Sequence, residues 1–293
     1  MKTKRCSLMM AICFVAALPF CAMASGHGSP SPKKVGILLV AFGSSEASAQ
    51  VSFSNIEKKV KATFPDIPVR WAYTSHIIRE KLTKEGKVLN SPATALARMQ
   101  DEKFTHVAVQ SLHTIDGEEY HDLNRTVASF RSMGGFQKIM LGYPLLSTQA
   151  DFERVATAIF QVIPKTRKAS DAVLLMGHGT PHPANAFYAA MMFQLQLQDP
   201  NVFVGTVEGY PEIDVILDML VKKNIKKTYL MPFMSVAGDH AKNDMAGKEA
   251  DSWKSVLEKA GITCETVLKG TAEYDAFVDI WVDHLKVCLN HFK

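Results

Sequence analysis

Short apolar runs alternate with polar, helix-periodic stretches from Val35 to the end of the chain. Runs at Val35 to Phe42, Val69 to Thr74, His106 to Leu112 and Lys138 to Leu146 are too short for core helices. They read as strands: Val35 to Phe42 is a near-continuous apolar run, and Ala172 to Met176, which opens the second half, suits a parallel strand covered on both faces. Helical patterns lie between them: one runs to about Phe64, two pieces are broken near Gly86 to Pro92, and others cover Gly117 to Arg131 and Asp151 to Val162. The order then repeats. Strands are expected at Ala172 to Met176, Val202 to Val207, Lys227 to Phe233 and Ile262 to Leu268. Helices are expected at about Asn185 to Gln198, Pro211 to Lys222, Ala241 to Lys259 and Ala272 to Asn290. Strict alternation of strand and helix predicts an α/β protein of parallel sheets flanked by helices.

The two halves match in detail. Ala41-Phe42-Gly43-Ser44 is similar to Gly177-His178-Gly179-Thr180, and Leu112 to Glu119 to Phe233 to His240, each pair at the ends of corresponding strands. The pattern predicts two similar lobes, 34–166 and 167–293, with a cleft between them where strand ends meet.

The chemistry concentrates in the second half. Ala172 to Met176 runs into Gly177-His178-Gly179-Thr180-Pro181-His182-Pro183. The two glycines allow a sharp turn around His178, and Pro183 suits the first turn of a following helix. An imidazole at the carboxyl end of a parallel strand stands where open α/β sheets place their ligands. Glu208 ends the next strand and His240 follows the third. Adjacent parallel strands would bring His178, Glu208 and His240 to one rim. Two imidazoles and a carboxylate suit a divalent transition ion of the cobalt, nickel, iron or zinc kind, with positions left open. The matching first-half positions are Phe42, about Ser75, and Glu119, so only the second half carries the set. No serine stands in the turn for a nucleophile elbow, and no Gly-x-Gly-x-x-Gly or P-loop pattern follows a strand. The methionines near Met191 and Met231 read as core and cleft lining, and the Lys222 to Lys227 pairs as a solvated helix end.

Composition adds compartment more than chemistry. The 293-residue chain is 47% apolar and 21% charged, with a formal net charge of +4. Three of its 33 basic residues lie in the first 24, which hold no acid, leaving 30 against 29 acidic residues in the body. A nearly neutral body argues against a nucleic-acid partner. Residues 1–24 read as a signal peptide: a basic start, an apolar run from Leu8 to Phe20 too short for a membrane span, and Ala22-Met23-Ala24 as the cleavage site. Bulky Phe20 before Cys21 opposes a lipoprotein reading. Residues 25–33 then form a flexible Gly/Ser/Pro tether. The expected location is periplasmic, with no membrane span after signal removal. Only Cys264 and Cys288 remain, too few for a disulfide framework; whether they pair is open.

These motifs together resemble the anaerobic sirohydrochlorin cobaltochelatases, small ATP-independent chelatases related to ferrochelatase. The resemblance runs from about Lys34 to the C-terminus. It rests on Ala41-Phe42-Gly43-Ser44, Ala72-Tyr73-Thr74-Ser75, Leu112-His113 with Gly117-Glu118-Glu119-Tyr120, Gly177-His178-Gly179-Thr180, Val207-Glu208-Gly209-Tyr210-Pro211, and Pro232-Phe233-Met234 with Ala237-Gly238-Asp239-His240-Ala241 and Asn243-Asp244-Met245-Ala246-Gly247. It implies a tetrapyrrole in the cleft and His178, Glu208 and His240 as holders of an incoming Co²⁺, with Fe²⁺ as the other candidate metal. Phe42, Ser44, Thr74 and Ser75 are expected to face the ring. The implied partners are a tetrapyrrole and a divalent metal, in a homo-oligomer. The export signal departs from a cytoplasmic cobalamin pathway. It keeps a second reading open, an exported metal- or haem-binding protein without turnover. His113, His121 and His182 are outside the implied ligand set. His121 is the candidate for haem at a surface or subunit contact, against a plain solvated helix histidine.

Overall fold

The computed structural model describes residues 32–293. The signal peptide and nearly all of the tether expected from the sequence lie outside the described residues. Lys33–Lys293 forms one compact unit.

All eight expected strands are present, within a few residues of their expected ends. The first sheet holds β1 (Val35–Ala41), β2 (Val69–Tyr73), β3 (His106–Ser111) and β4 (Lys138–Gly142) in the order β2-β1-β3-β4. The second holds β5 (Ala172–Gly177), β6 (Val202–Thr206), β7 (Lys227–Pro232) and β8 (Thr263–Thr266) in the order β6-β5-β7-β8. Every pairing is parallel. The order is the same in both halves, so the two sheets are two copies of one topology.

The connecting helices are α1 (Gln50–Thr63), α2 (His76–Lys84), α3 (Pro92–Asp101), α4 (Glu118–Ser132), α5 (Gln149–Val162), α6 (Ala186–Gln196), α7 (Ile213–Lys222), α8 (Trp253–Lys259) and α9 (Asp275–Asn290). Ser75, Ser91, Thr148 and Ser252 cap four of them, each accepting from a backbone N–H of the first turn. Such a cap is worth about 1 kcal/mol.

Side-chain alternation sorts the apolar residues into three cores. Ile37, Leu39 and Ala41 of β1 and Val173 and Leu175 of β5 point into one central core, packed with residues of α1, α5, α6 and α9. Leu38 and Val40 point the other way, into a layer under α3 and α4. Leu174 and Met176 do the same on the second sheet, under α7 and α8. A strand buried on both faces has no polar side, which is why these runs read as continuously apolar.

Two features differ from the sequence reading. The helix expected from Ala241 to Lys259 is two pieces: a π-helical turn at Ala241–Met245, then α8. Gly247 N donates to Asn243 O at 3.0 Å, and Ser252 Oγ donates to Gly247 O at 2.9 Å while accepting from Ser255 N. The chain is thereby stopped and capped afresh. The second feature is α9, which closes the chain yet packs against β3 and β4 of the first sheet. His284 Nε2 lies 3.0 Å from Asp151 Oδ1 and its Nδ1 3.1 Å from Tyr143 O. Arg154 donates to Asp283 at 2.6 Å. The C-terminal helix thus ties the second half of the chain to the first. Cys264 and Cys288 are both free thiols.

Candidate metal centre and cleft

Because β5 is flanked by β6 and β7, the loops that follow these three strands emerge side by side. The turn after β5 carries His178. Gly179 has φ +84°, and a Cβ there would stand 2.7 Å from Gly209 N, so both the backbone angle and the space demand glycine. Gly43, its counterpart after β1, has φ +109°. Glu208 N donates to His178 O at 2.8 Å, locking the second ligand's backbone to the first. Asn185 spans the two turns: its Oδ1 accepts from Thr180 N at 3.2 Å and its Nδ2 donates to Tyr210 O at 2.6 Å.

One ligating atom from each of His178, Glu208 and His240 lies within 4.8 Å of the others. The two imidazoles stand almost perpendicular, 89° between planes and 4.7 Å between centroids. His178 Nδ1 is 3.1 Å from Gly179 O and 3.8 Å from Glu208 Oε2. His240 Nδ1 is 2.5 Å from Asp244 Oδ2. A carbonyl or a carboxylate can only accept, so each Nδ1 carries the hydrogen and each Nε2 keeps its lone pair for a metal. The imidazole side chains are about one-third exposed and the Glu208 side chain 55% exposed, so the centre is open to incoming ions. Asp244 was not foreseen as part of this centre. Its position four residues after His240 is the signal that marks it, since that spacing places two side chains on one helical face.

A family model described as cobalt chelatase (CbiK) matches residues 35–290. The chain belongs to the CbiK family of cobalt chelatases. It is 46% identical over 261 residues to sirohydrochlorin cobaltochelatase CbiKC of Nitratidesulfovibrio vulgaris, covering 89% of this chain and 92% of that protein. It is 37% identical to sirohydrochlorin cobaltochelatase of Salmonella typhimurium, covering 88% and 97%. The fold of this CbiK-family chain is similar to that of SirB from Bacillus subtilis with Fe3+, with a TM-score of 0.59, 16% identity, and coverage of 87% of this chain and 95% of SirB. It is also similar to CbiX, described as the terminal enzyme for biosynthesis of siroheme in denitrifying bacteria, with a TM-score of 0.56, 17% identity, and coverage of 86% and 98%. The α/β architecture of two parallel sheets expected from the sequence is thereby borne out.

The first half of this CbiK-family chain meets the metal centre through Phe42, whose ring centroid is 5.7 Å from that of His178. Phe42, Thr74 and Ser75 line one groove of about 400 Å³, bounded by α2, Ser91 and Pro92 on one side and by Glu119 and Asp122 of α4 on the other. Ser75 does this while its hydroxyl caps α2, 3.3 Å from Ile78 N. Ser44 is elsewhere. It is buried, its Oγ accepts from Glu46 N at 3.1 Å, and it abuts Gly238 in the loop that leads to His240. Beside it, Lys242 donates to Glu46, linking the His240 turn to the loop after β1.

The other histidines are engaged outside the triad. His121 lies 3.3 Å from Asp116 Oδ1 and against the ring of His182, 4.8 Å between centroids. That contact joins α4 to the turn beyond His178. His182 Nδ1 accepts from Ala184 N at 3.1 Å. His113 Nδ1 is 2.8 Å from Ser111 Oγ, and its Nε2 is 3.4 Å from Thr74 Oγ1. Burial pushes this imidazole down to about 4.

Proposed function

We propose that this chain inserts Co²⁺ into sirohydrochlorin without ATP, and that His178, Glu208 and His240 hold the metal before transfer. The observation that carries the reading is the convergence of one carboxylate and two imidazole ligating atoms within 4.8 Å, open to solvent and next to Phe42. Three protein ligands leave positions for the pyrrole nitrogens, and few, exchangeable ligands suit an ion that must be handed on. That the two relatives are sirohydrochlorin cobaltochelatases supports the same substrate pair.

Insertion of a divalent ion releases two pyrrole protons. An imidazole cannot hold metal and accept a proton on the same nitrogen, so binding and proton removal must alternate or be divided. Glu208 is the most exposed of the three side chains. It attracts the cation and is best placed to pass protons to solvent. Phe42, Thr74 and Ser75 face the macrocycle on the opposite side. Fe²⁺ fits the same donor set, and assaying both metals ranks them.

The test is purified protein with sirohydrochlorin and Co²⁺ or Fe²⁺ under anaerobic conditions, followed by absorbance. Turnover is expected, with most of it lost in His178→Ala and in His240→Ala and only a mild effect in His182→Ala. Tight stoichiometric metal uptake with no turnover would replace this reading with that of a binding protein.

We also infer export. The basic, apolar and Ala22-Met23-Ala24 order supports removal of residues 1–24 and action in the periplasm. N-terminal sequencing of the cellular protein is expected to begin at or near Ser25; an intact Met1 would refute it. Exposed Phe193 on α6 and Leu197 at its C-cap support self-association, which sedimentation would detect.

A further inference from the structure

Next to the groove that contains Phe42, a second hollow of about 400 Å³ is lined by residues further along α2 and by Leu89. His76 and Arg79 line both hollows and so form the rim they share. Lys84 stands at the second hollow, with Glu80 as its single acidic residue. The first hollow has the opposite character along its far wall, where α4 presents Glu119 and Asp122. A ligand spanning the two therefore meets acidic groups near α4 and basic groups along α2.

Arg70, Arg154 and Arg167 each pair with a carboxylate. Arg79, like Arg131, makes its hydrogen bonds only to backbone carbonyls among the described residues, and it alone of the two stands at a hollow. Its Nη1 donates to Tyr73 O at 2.5 Å and to Thr74 O at 2.7 Å. The guanidinium is thereby pinned to the end of β2 while half-buried at the rim. Its Nε–Nη2 edge is left as a fork, the geometry that takes a carboxylate through two parallel hydrogen bonds. With no carboxylate beside it among the described residues, the guanidinium is free to take one from a ligand.

We propose that the Arg79 rim and the hollow beyond it form a subsite for a carboxylate-bearing side arm of the tetrapyrrole, with the ring in the groove beside Phe42 and the arm crossing the rim toward Lys84. This rests on the chelatase reading, because it takes the macrocycle to lie against Phe42, Thr74 and Ser75. Sirohydrochlorin carries acetate and propionate arms around its whole edge. The subsite therefore selects acidic tetrapyrroles over rings with few carboxylates, and it orients them: the arm nearest Arg79 fixes which pyrrole nitrogens face His178 and His240.

The experiment is metal-free binding of an octacarboxylate porphyrin (uroporphyrin) and a dicarboxylate one (mesoporphyrin) to the full chain, followed by fluorescence quenching. Co²⁺ titration of each variant serves as the check on the metal centre. Arg79→Gln is expected to weaken uroporphyrin binding by about tenfold or more. Mesoporphyrin binding should change by about twofold or less, because a ring with few acids does not depend on this edge. Arg79→Lys should fall between wild type and Arg79→Gln. Lys84→Gln, at an exposed position that a folding defect would not reach, should weaken uroporphyrin by about threefold. Added salt should weaken uroporphyrin binding to wild type more steeply than to Arg79→Gln. Equal losses for both porphyrins in Arg79→Gln, or no loss in either variant, would overturn the subsite and leave the chelatase reading standing. A wild-type chain that takes up Co²⁺ but neither porphyrin would overturn both.

Discussion

Asp244 Oδ2 lies 2.5 Å from Nδ1 of His240, one turn further along the same short segment. The contact sets the ring's tautomer and leaves the Nε2 lone pair free for a metal shared with His178 and Glu208. It turns an exposed, rotatable imidazole into a fixed donor. His240 stands at the N-cap of the π-helical turn Ala241–Met245 and Asp244 lies within it, and π-turns of this kind are frequent at functional sites.

Asp244→Ala should therefore weaken Co²⁺ binding by about ten- to a hundredfold while leaving all three ligands in place. His240→Ala should weaken it further. Calorimetric titration of the metal-free protein measures both, and wild-type affinity in Asp244→Ala would show that His240 needs no support.

Glu46 and Lys242 form an ion pair between the loop after β1 and the turn of His240. The hydrogen bond from Lys242 holds the Glu46 carboxyl below its usual range. Glu46→Gln and Lys242→Met should each lower kcat/KM for Co²⁺ by about two- to fivefold, the scale of a partly exposed pair. The double exchange Glu46→Lys with Lys242→Glu should recover part of the loss. Additive losses with no recovery would mean the two side chains act separately.

His113 makes the fold acid-sensitive. Its folded value of about 4 lies below the ordinary histidine value near 6.5. Above pH ~6.5 both folded and unfolded chains hold it neutral, and it contributes nothing. Between ~6.5 and ~4 the unfolded chain takes up a proton that the folded chain refuses, so stability falls as the pH drops through that window. The full effect is on the order of 3 kcal/mol. Urea unfolding at pH 7 and pH 5 should show a smaller loss on acidification for His113→Asn than for wild type. Parallel losses would place the acid sensitivity elsewhere.

His284 and Asp151 are both nearly buried and join α9 to α5 across the halves of the chain. Burial pushes Asp151 up, but hydrogen bonds from His284 and Thr148 outweigh it and hold the carboxyl below its usual range. Its contribution is therefore present at neutral pH and is lost only as the pH falls through that depressed value. His284→Ala leaves the buried carboxylate with Thr148 as its remaining partner and should cost roughly 3 kcal/mol. A change in the urea midpoint equivalent to less than about 1 kcal/mol would show that α9 is held by its apolar face alone.

The central strands were legible because a strand buried on both faces must be apolar throughout. The runs at Val35 and Ala172 carry that constraint in the linear sequence. The duplication was legible through Gly43 and Gly179, since a left-handed turn after the first strand of each sheet admits little but glycine. The candidate ligands His178, Glu208 and His240 followed from the rule that open parallel sheets bind at their carboxyl ends. Strand order decided that they meet: with β5 between β6 and β7, residues far apart in sequence become neighbours.

The remaining features depend on what faces a side chain across space, which local pattern does not encode. The sequence alone expected Ser44 at the ring; that it is buried beside Gly238, and not among the residues lining the Phe42 groove, is visible only in the fold. It set His121 aside as a haem candidate or a solvated histidine, and the fold put its ring against His182. It read Ala241 to Lys259 as one helix, because nothing in the apolar period reveals that Ser252 recaps the chain. The same holds for α9. Its apolar stripe announces a buried helix, but only the tertiary structure selects the first sheet as its partner, through His284 meeting Asp151 and the carbonyl of Tyr143. Periodicity records that a face is buried. The choice of partner lies in shape and in hydrogen bonds between residues well over a hundred positions apart.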